Sequence, residues 1–476
     1  MSSYSISSKK AMTFLDSILK TWKKIQITNE SMLFGSYSDS DSRCDIYDNS
    51  LLVNLLIMIN YSDQPHPFVI NILNFFYGSY TYFIEKNEKY SLISAAYKLK
   101  TNNEFQLCGD PSCGVQDVGN NSMVCIAISK FIYSYPMHIN TEKYTKILVY
   151  LLKSINNLVC NVGFGKNIIG YKGRVTDGSY VSSEHMIDLY ALTSIVKSLP
   201  IYSDNKQIVD SMNKNSQNFI KNVYYNNNQY YIGTKDKCGG INTETPQPVD
   251  TTTWNMLSGV DNDKTRKKNS LDFVNKNFIV PFSNGVTGGI KFSIVSDCAQ
   301  YENTGAFLCS LTEFKRIFNE DIYFFNEKNV QDMYKFIYTE ISNKKPIMGG
   351  YGGKFKGDKG CFTYIGPPDQ GWEYFEKPHL AANVYSITAL LALGNNKINI
   401  YRNLQGPDPD PDPNPDPNPD PDPNPDPNPD PDPNPDPDPN KSKLSISKIF
   451  VIIILSILFL ISLIFGGYHL YAWLQI

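Results

Sequence analysis

Histidine and tryptophan are scarce in this chain, with five of the first and four of the second in 476 residues. The histidines never take HExxH spacing, which excludes the zinc-hydrolase helix. There is no GxSxG elbow and no kinase motif set, and the glycine-rich stretch YGGKFKGDKG stops short of the GK[ST] that would hold a phosphate. The N-terminal MSSYSISSKKAMTFLDSILKTWKK has no apolar h-region, so it does not read as a secretory signal. The chain also has no myristoylation glycine and no prenylation box. Cysteines number nine, at 44, 108, 113, 125, 160, 238, 298, 309 and 361. Only Cys108 and Cys113 lie close together, and no second close pair completes a zinc site, so neither metal nor other cofactor is expected. Cys125 and Cys309 fall in apolar periodic stretches, where a thiol packs as a small hydrophobe, and reduced cysteines are expected.

What the chain does have is a segmented C-terminal region. Residues 407–440 are strict Pro-Asp or Pro-Asn dipeptides, with 17 prolines, 11 Asp and 6 Asn. Alternate prolines remove donors and fix φ, leaving an extended polyproline II stalk stretched further by repulsion between its acids. A basic juxtamembrane segment, 441–448, carries Lys441, Lys443 and Lys448. The run from Ile449 to Gly467 is 19 residues without a charge, followed by Tyr468, Tyr471 and Trp473. At a rise of about 1.5 Å per residue it spans roughly 28 Å, the depth of a bilayer core, with aromatic rings suited to its interface. A single transmembrane helix over 449–473 is expected, with the lipid bilayer as partner. Lysines before the span and none after it predict a tail-anchored protein with a cytosolic body, in a host membrane if the source is viral. On that orientation the sequons at Asn29, Asn60 and Asn120 stay unmodified.

Residues 1–406 form the body. With the stalk's acids and the three juxtamembrane lysines set aside, 41 of the 44 basic and 36 of the 47 acidic residues remain. A surplus of five positive charges over 406 residues gives no nucleic-acid surface. Apolar segments with helical spacing start near Asp48, Asp117, Glu184, Asp250, Glu302 and His379, separated by 69, 67, 66, 52 and 77 residues. Between them lie more polar helical stretches, such as KYTKILVYLLKSI and NVQDMYKFIYTEI, and SKKAMTFLDSILKTWKKI brings the total to twelve. Short connections follow the apolar helices, and long ones precede them, with hairpin signals in YYNNNQYYIG and MGGYGGKFKGDKGCFTYIG. Six helices buried all round and six with one apolar face suit an inner and an outer ring. The fold class is mainly α, an (α/α)6 toroid; a solenoid of stacked hairpins, with shorter repeats, is the rival.

Five of the six apolar helices begin with a carboxylate. Each acid alone is explained by capping and by the helix dipole. Together, a toroid brings Asp48, Asp117, Glu184, Asp250 and Glu302 to one funnel with Asn120, His185, Trp254 and His379. Convergent acids raise one another's pKa, so a protonated acid and an ionised base can coexist, and aromatic rings beside them suit the apolar faces of sugars.

Tyr47-Asp48-Asn49-Ser50-Leu51 and Ser183-Glu184-His185-Met186-Ile187-Asp188-Leu189-Tyr190 resemble the DNAL-like and TEHN-D-Y-like helix starts of six-hairpin glycosidase-type proteins, particularly bacterial members. Asp250-Thr251-Thr252-Thr253-Trp254 is similar to the acid-to-Trp start of the same group, whereas Met186 replaces an expected Asn. The resemblance covers about residues 40–395. It implies a toroid acting on carbohydrate, most simply a glycoside hydrolase with Glu184, Asp250 and Asp117 as catalytic acids. Asp48, Asn120, His185, Asp188, Trp254, Glu302, Trp372 and His379 are then candidate sugar contacts. Sugar epimerisation, with His185 and His379 as paired bases, and a non-catalytic toroid binding glycan or protein stay open.

Overall fold

The computed structural model describes residues 2–402, apart from 40–42, 61, 85–90, 100–104, 108–113, 166–167, 176–178, 226–227, 245, 284–285, 297, 321–326, 352–360 and 363–372. The stalk, the juxtamembrane lysines, the apolar run 449–473, the Cys108/Cys113 pair and Trp372 lie outside the described residues. Among those described, no helix is long and apolar enough to cross a membrane.

All twelve expected helices are present. The apolar set is α2 (Ile46–Ile59), α4 (Val118–Ser134), α6 (Ser183–Val196), α8 (Asp250–Ser258), α10 (Tyr301–Phe318) and α12 (Leu380–Gly394). The polar set is α1 (Ser8–Leu19), α3 (Pro67–Ile84), α5 (Thr141–Asn156), α7 (Tyr202–Asn222), α9 (Lys264–Asn277) and α11 (Glu327–Ser342). Burial separates the sets as the patterning requires. Every residue of α2 except Tyr47 is buried, whereas α5 buries Tyr144, Ile147, Leu148, Leu151, Leu152 and Ile155, a single stripe at three- and four-residue spacing. Each apolar helix packs on the next, and α12 packs back on α2. That last contact closes the ring, which an open solenoid does not do. The result is an inner ring of six helices with their polar partners outside.

Short antiparallel pairings in the long connections frame the N-terminal ends of the inner helices. Tyr224–Tyr225 pairs with Gln229–Tyr230, as the YYNNNQYYIG signal predicts. Most of the glycine-rich stretch after Met348 lies outside the described residues; Gly350–Tyr351 pairs with Ala299–Gln300, which ties together the loops before α10 and α12, and Cys361–Phe362 pairs with Glu373–Tyr374.

The base of the ring has a different closure. Residues after α12 turn beneath it, burying Ile398, Asn399, Ile400 and Tyr401. The buried Lys130 of α4 donates to the carbonyls of Asn399 and Ile400, Asn399 donates to the Leu257 carbonyl at 2.9 Å, and Arg402 pairs with Glu313. These contacts tie the segment to the C-terminal ends of α4, α8 and α10.

The expectation of reduced cysteines fails in the loops. Cys160 and Cys238, 78 residues apart, form a disulfide with Cα atoms 6.5 Å apart, and Cys298 is disulfide-bonded as well. A pairing set by folded-loop proximity leaves no trace in sequence spacing. Cys125 and Cys309 remain buried thiols in α4 and α10.

One interaction recurs at the ring mouth. The side-chain amides of Asn49, Asn121 and Asn383 each donate to the carbonyl four residues back, at Asp45, Asp117 and His379, at 2.8 Å in all three cases. Each also takes both backbone groups of one loop residue, Phe34, Ile93 or Ile347, at 2.9–3.1 Å. Replacing Asn121 with Ala strands the buried backbone N–H and C=O of Ile93, at about 1–3 kcal/mol per orphaned group. Asn121→Ala is therefore expected to lose about 2–4 kcal/mol in urea unfolding at pH 7, while the exposed Asn222→Ala stays within roughly 0.5 kcal/mol.

Candidate functional site

The simple capping account holds for one acid. Asp117 is the N-cap of α4 and accepts from the Asn120 backbone N–H at 2.8 Å, while the Asn120 side chain donates to its other oxygen at 2.7 Å. Asp48, Glu184 and Glu302 lie inside the first turns of α2, α6 and α10, Asp250 opens α8, and none of these helices has a side-chain cap. Four buried or half-buried carboxylates therefore take the desolvation penalty without that compensation.

They also face one another. Burial first, then the neighbouring charges of Asp250, Asp188, Asp117 and Glu302, push Glu184 well above the usual carboxylate range. Burial lifts Asp250 to about 7 against a hydrogen bond from the Thr251 backbone. Glu302 also rises to about 7, chiefly by burial, while hydrogen bonds from Tyr374, at 3.0 Å, and Tyr47 partly oppose the rise. Asp48 is raised by burial and then by Asp45 and Glu302. Acids from separate inner helices thus share one poorly solvated space, which is what the toroid reading requires of them.

Two histidines join this group. His379, the N-cap of α12, places Nε2 3.6 Å from Asp48, with Tyr37 at a ring separation of 4.7 Å and Tyr374 edge-on at 5.8 Å. His185 sits 4.0 Å from Asp117 and packs so closely over Gly119 that a Cβ there would lie 2.3 Å from the imidazole. Burial lowers both, His379 to about 4, so both are neutral near pH 7. Trp254 stacks at 5.7 Å and 31° against Tyr47.

Several polar atoms here have no partner at hydrogen-bond length among the described residues: Asp48 Oδ2, Asp250 Oδ1, the Nδ1 atoms of His185 and His379, and Trp254 Nε1. Buried donors and acceptors are seldom left so. A mixed set beside aromatic faces suits a polyhydroxylated ligand with apolar ring faces.

Of the candidates read from sequence, Asp48, Asp117, Glu184, His185, Asp250, Glu302 and His379 gather at the inner-helix starts, with Asn120 fixing Asp117 and Trp254 one turn into α8. Asp188 stands apart. It is wholly enclosed one turn below Glu184, interacts with the Tyr401 hydroxyl, and reaches the site only through its neighbours. Sequence reasoning missed Tyr37, Tyr374 and Gly119. The first two come from the long loops, where no periodicity marks them; Gly119 is flagged only by standing beside the Asp117 cap.

No family model matches the sequence, and no curated protein does. Solved structures do match. A glycosidase solved in complex with glucose aligns with a TM-score of 0.50 at 8% identity, over 81% of this chain and 96% of its own. A sugar epimerase from a ruminal bacterium, at 0.48 and 12% identity, covers 80% of this chain and 98% of its own. A glycoside hydrolase family 76 mannosidase from Bacteroides thetaiotaomicron, at 0.48 and 10%, covers 82% and 99%. The fold is that of the six-hairpin glycosidase-like toroids. At these identities the likeness is one of architecture, and the chemistry must be argued from the residues.

The raised acids make stability depend on pH. A carboxyl near 7 in the fold and near 4 when unfolded binds its proton more tightly in the fold. Stability is therefore greatest below about pH 4, falls as pH rises toward 7, and stays reduced above. Asp250→Asn removes that loss. It is expected to be more stable than wild type by about 2–4 kcal/mol at pH 8, with the gap closing at pH 4, read by urea unfolding at both.

Proposed function

We propose that the body is a carbohydrate-active toroid that hydrolyses a glycosidic bond, held at a membrane by the apolar run 449–473. The observation that carries the reading is the group of Glu184, raised well above the usual carboxylate range, and Asp250 and Glu302, raised to about 7, in one space lined by Tyr47, Trp254 and Tyr374. Glycoside hydrolysis needs one carboxyl still protonated at working pH to protonate the leaving oxygen, and a second, ionised, to activate water or attack the sugar. Glu184 suits the acid. It carries the heaviest crowding by other acids, yet its side chain is the least enclosed of the inner-helix acids. Asp250 suits the base or nucleophile, and Asp117, held by Asn120, completes the set of candidate catalytic acids.

A second reading rests on the histidine pair. Neutral imidazoles at the starts of α6 and α12, each with Nδ1 unpartnered and Nε2 near a carboxylate, are equipped for proton abstraction and return during sugar epimerisation. Solvent isotope separates the two: epimerisation in D2O places deuterium on a sugar carbon, and hydrolysis does not.

The deciding assay puts the full chain on a panel of oligosaccharides beside Glu184→Gln and Asp250→Asn. Each substitution is expected to lower kcat at least 10²-fold with the fold intact. Wild type that cleaves nothing, yet binds glycan as both variants do, removes the hydrolase and leaves a binding toroid.

A further inference from the structure

Three cysteines are buried thiols: Cys44, in the short strand Cys44–Asp45, and Cys125 and Cys309 inside the inner ring, where burial raises the latter two far above the range in which a thiolate forms. They are protected from oxidation by enclosure. Cys160 and Cys238 lie in the loops instead. The strand Val159–Asn161 carries the first, and the loop ahead of α8 carries the second, with Gly163 N–H donating to the Cys238 carbonyl at 3.0 Å and Cys238 N–H to Ser179 at 3.1 Å. Both loops are thus held in place by their own backbone bonds, so the disulfide joins segments the fold already brings together. With Cys298 also bonded, at least three cysteines are oxidised. Such a distribution belongs to an oxidising compartment, since a reducing cytosol keeps loop cysteines as thiols.

That compartment bears on the Asn-x-Ser sequons; one, Asn440-Lys441-Ser442, ends the stalk, and the fold sorts the three in the body. Asn120 lies in the first turn of α4 with its amide on Asp117, and its sequon serine, Ser122, is fully buried. Asn60 donates its amide to the Gln64 carbonyl at 2.8 Å and to the Tyr135 hydroxyl at 3.0 Å. A glycan on either nitrogen would displace those bonds. Asn29 differs: it is exposed at the turn between Lys24–Thr28 and Ser31–Phe34, and its side chain makes no hydrogen bond among the described residues. Its neighbour Glu30 is fixed from below by the Asn74 amide at 2.8 Å, so the turn is presented outward on a set backbone.

We propose that the body matures in an oxidising, glycosylating compartment and carries an N-linked glycan on Asn29, the one of its three sequons whose amide is exposed and unengaged. The three lysines ahead of the apolar run argue for the opposite sidedness, which makes the glycan the deciding observation. It is independent of whatever chemistry the ring mouth performs.

The test expresses the full chain in insect cells, with the stalk's sequon silenced throughout by Asn440→Gln, blocks thiols on lysis, and compares mobility with and without an N-glycan-removing endoglycosidase. Wild type is expected to shift by a single step, Asn60→Gln to shift equally, and Asn29→Gln not to shift. Non-reducing peptide mass spectrometry should recover a peptide pair linked through Cys160 and Cys238. A wild-type chain that does not shift overturns the proposal whatever the state of its cysteines. So does a shift that persists in Asn29→Gln, or a chain whose Cys160 and Cys238 are both alkylated as thiols.

Discussion

The asparagine placed one turn into an inner helix is the contact on which the ring mouth depends. An inner helix start is an awkward place. Its first N–H groups have no intrahelical partner, and the long loop that leads into it must be buried without a ladder of its own. Asn49, Asn121 and Asn383 meet the second demand, since one amide donates to the helix's own cap carbonyl and pairs with both backbone groups of a loop residue. Thr304 does part of the same at α10, donating to Gln300 and accepting from Ile290. Loop and helix start are thereby one rigid piece, and side chains such as Tyr37 and Tyr374 arrive in register with the acids.

Rigidity matters because the acids would otherwise separate. Two charges about 4 Å apart at an effective dielectric near 20 repel by about 4 kcal/mol, more than a flexible loop would tolerate. Held by the ring, they relieve the repulsion by keeping protons. Solvent cannot relieve it, because burial is the leading cause of the shift at Asp48, Glu184, Asp250 and Glu302 alike. The cost falls on stability and the return is a set of carboxyls titrating where chemistry at neutral pH needs them.

Much of this was legible in the sequence. The apolar helices show the all-round burial their composition implies, and the acids stand at the starts where periodicity placed them, because both follow from 3.6-residue repetition. What repetition does not carry was lost. The asparagines at Asp45+4, Asp117+4 and His379+4 were in plain view within DNS, DVGNN and HLAAN, yet mid-turn Asn carries no propensity signal. The Cys160–Cys238 bond joins loops 78 residues apart. The pairing of Gly350–Tyr351 with Ala299–Gln300 joins two connections that no local signal relates. Capping, the general explanation for acids at helix starts, applied to Asp117 and failed for the rest, since it requires a position just before the helix and they lie inside it.

Asp188 shows why the ring needs more than its mouth. An apolar residue one turn below Glu184 would bring no charge to desolvate. The acid is kept instead in contact with Tyr401, which the segment beneath the ring brings toward the centre, while Tyr401 acts on Tyr385 and the Tyr385 hydroxyl lies 3.4 Å from that of Tyr47. Tyr47 in turn bonds Glu302. Tyrosine hydroxyls thus lie between the carboxyl below Glu184 and the carboxyl on α10, although neither Asp188 oxygen nor the Tyr401 hydroxyl has a partner at hydrogen-bond length among the described residues. Enclosure raises Asp188 well above the usual carboxylate range. Were it to ionise, the charge would bear directly on Glu184 and Asp250. The titration of this cluster is consequently a property of the ring, and the segment after α12, which brings Tyr401 near Asp188, bears on the site although it lies at the opposite end from the loops.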